Sequence, residues 1–119
     1  MAKILIADDI EGVRRMLSQT LEDEHSIILA QNGLEAVGLS ESENPELVIL
    51  DLDMPVMDGV EAARQIRSRF PHIKVIAMSG QHRSENALAA REICDLFLEK
   101  PFRVVELRDA VKQILGNHS

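Results

Sequence analysis

Short apolar runs recur along this chain, and almost every one stops on a residue that can carry charge or give a hydrogen bond. Ile4-Leu5-Ile6-Ala7 stops at Asp8-Asp9, and Leu47-Val48-Ile49-Leu50 stops at Asp51. Lys74-Val75-Ile76-Ala77-Met78 stops at Ser79-Gly80, and Asp95-Leu96-Phe97-Leu98-Glu99 stops at Lys100-Pro101. Ser26-Ile27-Ile28-Leu29-Ala30 is a further run, closed by Asn32-Gly33. Runs this short, apolar along their length instead of alternating, read as strands covered on both faces.

Longer segments of helical period separate the runs. Val13, Met16, Leu17, Thr20 and Leu21 mark one helix face. A second helical segment follows Asn32-Gly33 to about Ser42, where Asn44-Pro45 breaks the chain. Val60, Ala63, Ile66 and Phe70 give a third stripe, stopped by Pro71. An alanine-rich, weakly patterned segment covers about Ser84 to Arg91, and Val104, Leu107, Val111, Ile114 and Leu115 form the last. Five β–α units with right-handed crossovers make an open, doubly wound α/β domain with a parallel sheet. The 119 residues suit one domain spanning 1–119, because two cores of half that size would each be marginal.

In such a sheet, reactive groups gather beyond the carboxyl ends of the strands, at the switch in strand order. That places Asp8, Asp9, Asp51, Ser79 and Lys100 on one short list. Three carboxylates crowded at one edge repel one another, and burial raises the cost of ionising them. A divalent cation relieves both, and hard oxygen donors without Cys or His suit Mg²⁺ better than zinc. A carboxylate beside such an ion can act as a nucleophile toward phosphorus, giving a mixed anhydride. Lys100 supplies a fixed cation and Ser79 a hydroxyl for the phosphoryl oxygens.

These pieces together resemble the response-regulator receiver family over essentially the whole chain. The matching stretches are Ala7-Asp8-Asp9, Ile49 through Gly59, Met78-Ser79-Gly80 and Glu99-Lys100-Pro101-Phe102, in the family's order and spacing. The resemblance implies a flavodoxin-like fold with strand order 2-1-3-4-5 and five helices. It implies that Asp51 accepts a phosphoryl group from a phosphohistidine of a sensor histidine kinase or histidine phosphotransfer protein. It further implies Mg²⁺ held by Asp9, Asp51 and the backbone carbonyl of Asp53, with Asp8 acting largely through water. Ser79 and Lys100 then bind the phosphoryl oxygens, and the Lys100–Pro101 peptide is cis, a state open to X-Pro bonds. Phe97 stands where the family carries an aromatic that follows Ser79 inward when the site is phosphorylated, and ordinary core packing is the competing reading. The surface so switched is that of the fourth helix, fifth strand and fifth helix, presented to a downstream protein. Beyond self-phosphorylation from a donor and slow autodephosphorylation, no enzyme activity is expected.

Some positions depart from the family pattern or stand beside it. Ile93-Cys94-Asp95 replaces the glycine-containing turn common before the fifth strand, which concerns the shape of that loop. Asp53 and Gln81 flank the site and are expected to tune the lifetime of the acyl phosphate; His82 reads as an exposed, solvated side chain. Cys94, the single cysteine, has no internal disulfide partner and reads as a small buried apolar residue, consistent with a reducing compartment.

Two other classes compete. Asp51-Leu52-Asp53 also resembles the nucleophile and general-acid pair of haloacid-dehalogenase-type phosphatases. Those need a further acidic motif beyond the lysine, whereas Glu106-Leu107-Arg108-Asp109 falls within a helical segment. A pseudo-receiver, binding partners without taking phosphate, is the third class. A net charge of −7 argues against direct binding to nucleic acid. The chain has no apolar stretch near the ~20 residues of a membrane span and no signal peptide, so a cytoplasmic protein is expected. Only Gly116-Asn117-His118-Ser119 follows the fifth helical segment. Action by protein contact alone and origin as a piece of a longer protein both stay open.

Overall fold

The computed structural model describes residues 1–81 and 84–116; His82 lies outside the described residues. Five strands, β1 (Lys3–Ala7), β2 (Ser26–Ala30), β3 (Leu47–Asp51), β4 (Lys74–Ser79) and β5 (Leu96–Glu99), alternate with five helices. These are α1 (Glu11–Leu21), α2 (Gly33–Glu43), α3 (Gly59–Arg69), α4 (Glu85–Ile93) and α5 (Val104–Leu115). All strand pairings are parallel and the order is β2-β1-β3-β4-β5, the doubly wound arrangement expected from the runs. The order reverses between β2-β1 and β1-β3, so the carboxyl ends of β1 and β3 flank the switch point.

Period-two alternation sorts the strand side chains between two faces. Ile4, Ile6, Leu47, Ile49, Ile76 and Met78 pack beneath α1 and α5, against Leu17, Leu21, Leu107 and Val111. Leu5, Val48, Leu50 and Val75 face the other way, against Ala36 and Val37 of α2 and Ala62, Ala63 and Ile66 of α3. Every β3 residue is buried, as a central strand covered on both faces requires. The edge strands are not: Leu29 of β2 is 44% exposed, and of β5 only Leu98 is buried. Coverage on both faces therefore describes the three inner strands, because an edge strand has a neighbour on one side only.

Several helix starts are set by side chains accepting orphan backbone N–H groups. Asn32 accepts from Glu35, Asp58 from Glu61 and Ser84 from Ala87. Ser84 is thus the cap of α4, and the helix runs two residues past Arg91, to Ile93. Met16, expected on the buried stripe of α1, is 44% exposed.

The Ile93-Cys94-Asp95 turn is held by Asp95. Its Oδ2 accepts from the Val75 N–H at 2.8 Å and from Arg67 of α3 at 2.8 Å. Its own N–H donates to the Val75 carbonyl, and β5 begins at Leu96, one residue later than the sequence suggests. Cys94 is half-buried, its thiol pushed up to about 12 by burial and then by the Asp95 carboxylate.

Candidate functional site

The chain direction of β1, β3, β4 and β5 delivers Asp8, Asp51, Ser79 and Lys100 to one edge of the sheet. Asp8 and Ser79 are fully buried and Asp51 is 2% exposed; with Ser40 of α2 they are the buried polar side chains among the described residues. Asp9 is exposed on the rim. Carboxylate oxygens of Asp8, Asp9 and Asp51 lie within 4.8 Å of one another, so all three acidic residues converge as expected.

Each buried group is held by a specific partner. Asp8 Oδ1 accepts from the Ile10 N–H at 2.9 Å, which points the carboxylate back over the strand end. Asp51 Oδ1 accepts from the Asp53 N–H at 3.1 Å. Lys100 Nζ lies 3.4 Å from both Asp8 Oδ2 and Asp51 Oδ2, bridging the central strands from β5. The Lys100–Pro101 peptide is cis. The Lys100 N–H donates to the Ser79 carbonyl at 2.9 Å, tying that loop to the end of β4.

The loop after β3 approaches so closely that α3 must begin with glycine. A Cβ on Gly59 would sit 2.5 Å from the Asp51 carbonyl oxygen and the Leu52 Cα, closer than real side chains come. Within the same loop Val56 takes φ 73°, where the Met57 N–H reaches back to the Pro55 carbonyl. Left-handed backbone is costly for a β-branched residue, so strain is stored in the loop between Asp51 and α3.

One cation against three carboxylates leaves an excess of two negative charges. Burial pushes the Asp51 carboxyl above its ordinary range, and the neighbouring Asp8 and Asp53 carboxylates add to the rise. The Asp53 N–H and Lys100 oppose it without cancelling it. Oxygen donors alone, within reach of one another and short of positive charge, fit a hard divalent cation.

Some contacts here had no sequence signal. The Ser79 hydroxyl donates to Asp53 Oδ2 at 3.1 Å and accepts from the Gln81 N–H at 2.9 Å. Arg14 of α1 donates to the Asp8 carbonyl at 2.6 Å. The Arg91 guanidinium of α4 lies 4.2 Å over the Phe97 ring and 3.1 Å from Glu99. Phe97 is half-buried, packed toward Leu52, Val60, Ala77 and Ala90.

The family model for the response regulator receiver domain matches residues 4–112. This chain belongs to that family. It is 36% identical over 115 residues to sporulation initiation phosphotransferase F of Bacillus subtilis, covering 95% of this chain and 93% of that protein. It is 35% identical over 119 residues to the chemotaxis protein CheY of Halobacterium salinarum, covering 97% and 98% of the two chains. A solved structure of the response regulator TrrA from Thermotoga maritima, in complex with Mg(2+)-BeF, superposes with a TM-score of 0.86 at 35% identity. That match covers 96% of this chain and 99% of the other. The chain spans about half the length of the MprA response regulators it also matches, and 27% of the NtrX chain from Brucella abortus. Membership decides against the phosphatase class, and Glu106 and Asp109 do lie on α5, as expected. Among the described residues no helix is long and apolar enough to cross a membrane.

Proposed function

We propose that Asp51 is the phosphoacceptor of this receiver domain, taking its phosphoryl group from a phosphohistidine of a sensor kinase or phosphotransfer protein with Mg²⁺ bound. The observation that carries this reading is the buried Asp51 carboxylate, 3.4 Å from Lys100 and within reach of two further acidic groups. Asp9, Asp51 and the Asp53 carbonyl would hold the ion, and Asp8 would act largely through water. The ion supplies charge neutralisation at the phosphoryl oxygens.

The chain's own residues do the rest. An Asp51 oxygen attacks phosphorus as the bond to the imidazole nitrogen breaks, so the acceptor must be ionised. Lys100 favours that form and meets the charge spreading over the transferring group. The Asp53 N–H occupies Oδ1 and orients the carboxylate. Ser79 then donates to a phosphoryl oxygen, and Phe97 follows into the space beside β5. The face of α4, β5 and α5 thereby changes for a downstream protein. This is a population shift between two packings, no larger than the difference in how each meets the phosphoryl group. Asp53 and Gln81 set the lifetime of the acyl phosphate.

Incubation with acetyl phosphate or a phosphorylated histidine kinase and Mg²⁺ tests the reading. Wild type is expected to acquire one acid-stable, hydroxylamine-labile phosphoryl group, and Asp51→Ala or removal of Mg²⁺ to abolish it. Labelling that survives Asp51→Ala would assign the acceptor elsewhere; no labelling of wild type would leave a binding module.

A further inference from the structure

We infer that the Asp53 side chain is a positioning residue that holds the Ser79 hydroxyl away from the acceptor until a phosphoryl oxygen displaces it. This rests on the phosphoacceptor reading of Asp51 and adds the residue that sets the resting position of its switch.

Ser79 is fully buried and its single hydroxyl proton is already used. A hydroxyl has one proton to give, and a carboxylate has none. The 3.1 Å contact to Asp53 Oδ2 is therefore donated by Ser79, while the Gln81 N–H fills a lone pair at 2.9 Å. Ser79 cannot donate to a phosphoryl group on Asp51 without leaving Asp53.

Asp53 is placed to feel that exchange from both sides. Its N–H donates to Asp51 Oδ1 while its side chain crosses from the end of β3 to the end of β4. The two ends of the exchange differ in their access to water. Asp53 is exposed, so its carboxylate is rehydrated on release at small cost. The buried Ser79 hydroxyl has no such recourse and must pass directly from one acceptor to another. Two discrete arrangements result, the Ser79 hydroxyl donating to Asp53 or the same hydroxyl donating to phosphate, and the Asp53 side chain biases the first. Substitution of the Asp53 side chain retains the backbone N–H and the carbonyl proposed for the ion.

Beryllofluoride with Mg²⁺, a mimic of the acyl phosphate, is titrated against wild type, Asp53→Ala, Ser79→Ala and the double variant. Asp53→Ala is expected to tighten binding roughly 3- to 30-fold, in the range of coupling between residues sharing one hydrogen bond. In the Ser79→Ala background the same change is expected to fall within about twofold of no effect, because no hydroxyl remains to be held. An equal gain in both backgrounds overturns the inference in favour of simple charge repulsion, and so does no gain. Hydrogen exchange at the Gln81 amide, without beryllofluoride, reads the resting state directly. It is expected to quicken severalfold in Asp53→Ala and to stay near wild type in Asp53→Asn, which keeps an acceptor oxygen. An unchanged Gln81 amide in Asp53→Ala overturns the inference. A wild type that takes up no beryllofluoride overturns the phosphoacceptor reading, and the gating role with it, even where exchange still reports the contact.

Discussion

β3 and β5 run parallel in one sheet, one ending on and the other just before a residue of the site, yet they are built to opposite specifications. All five residues of β3 are buried, and α3 over it buries Val60, Ala62, Ala63 and Ile66. β5 buries only Leu98, and α4 beside it contributes two small buried side chains, Ala87 and Ala90. The proposed acceptor thus stands on a strand buried along its whole length, where position is fixed by packing on both faces. The aromatic proposed to move stands on a strand that buries only Leu98. Chemistry needs atoms held to a fraction of an ångström, whereas a switch needs two packings of similar free energy. On the proposed reading, one sheet supplies both, its centre for the first and its edge for the second.

The sharpest break in this contrast comes from truncating one apolar residue in each strand. Ile49→Ala is expected to cost about 2–5 kcal/mol, the usual range for emptying a fully buried site. Phe97→Ala, at a half-buried site able to relax into solvent, is expected to cost less than about 2 kcal/mol. Urea denaturation of both variants checks the order; equal losses would erase the distinction between the strands.

Asp95 is where the edge is fastened to the centre, through Arg67 and the Val75 N–H. Asp95→Ala leaves that backbone donor short of its partner and is expected to cost about 1–3 kcal/mol. Hydrogen exchange is expected to rise most at Val75 and along β5, and least along β3. Uniform loss of protection would mean that the edge does not open by itself.

Arg91→Ala should touch the edge more gently. It removes the cation over the Phe97 ring, about 0.5–1 kcal/mol at an exposed site, and a surface ion pair of small worth. Aromatic NMR signals of Phe97 are expected to broaden or shift while amide shifts around Asp51 stay within wild-type scatter.

At the centre, one substitution is expected to act with opposite sign. The Asp51 carboxyl is raised in the fold, so its contribution to stability is present below its unfolded value and is lost as pH rises through the folded one. At pH 7 the ionised Asp51 therefore works against the fold, and Asp51→Asn is expected to raise Tm in Mg²⁺-free buffer. The gain should shrink on acidification, as wild type recovers its proton, and should shrink also when Mg²⁺ is added at pH 7. A gain independent of both pH and Mg²⁺ would assign it to something other than this charge.

Much of the site was legible in advance, for a reason particular to parallel sheets. Strands that all point one way bring their last residues to one edge, so Asp8, Asp51, Ser79 and Lys100 could be grouped without any knowledge of contacts. Edges and helix surfaces were less legible. Met16 and Val104 fit their apolar stripes by period but are each 44% exposed, because period tells which side chains share a face and not what covers it. The turn before β5 lacked its expected glycine, and only the fold reveals that a carboxylate 20 residues from Val75 does the fastening.

What the sequence determined by itself is the alternation of strands and helices, the parallel sheet and the set of polar strand ends. These follow from local periodicity and from the handedness of crossovers, which need no partner to be known. Only the tertiary structure decided which hydrogen bonds the site residues make. Lys100 lies midway between two carboxylates, Arg91 covers Phe97, and Asp53 turns its side chain to Ser79 while its backbone turns to Asp51. A hydrogen bond depends on distances and angles between groups far apart in the chain, and those exist only once the sheet has brought them together.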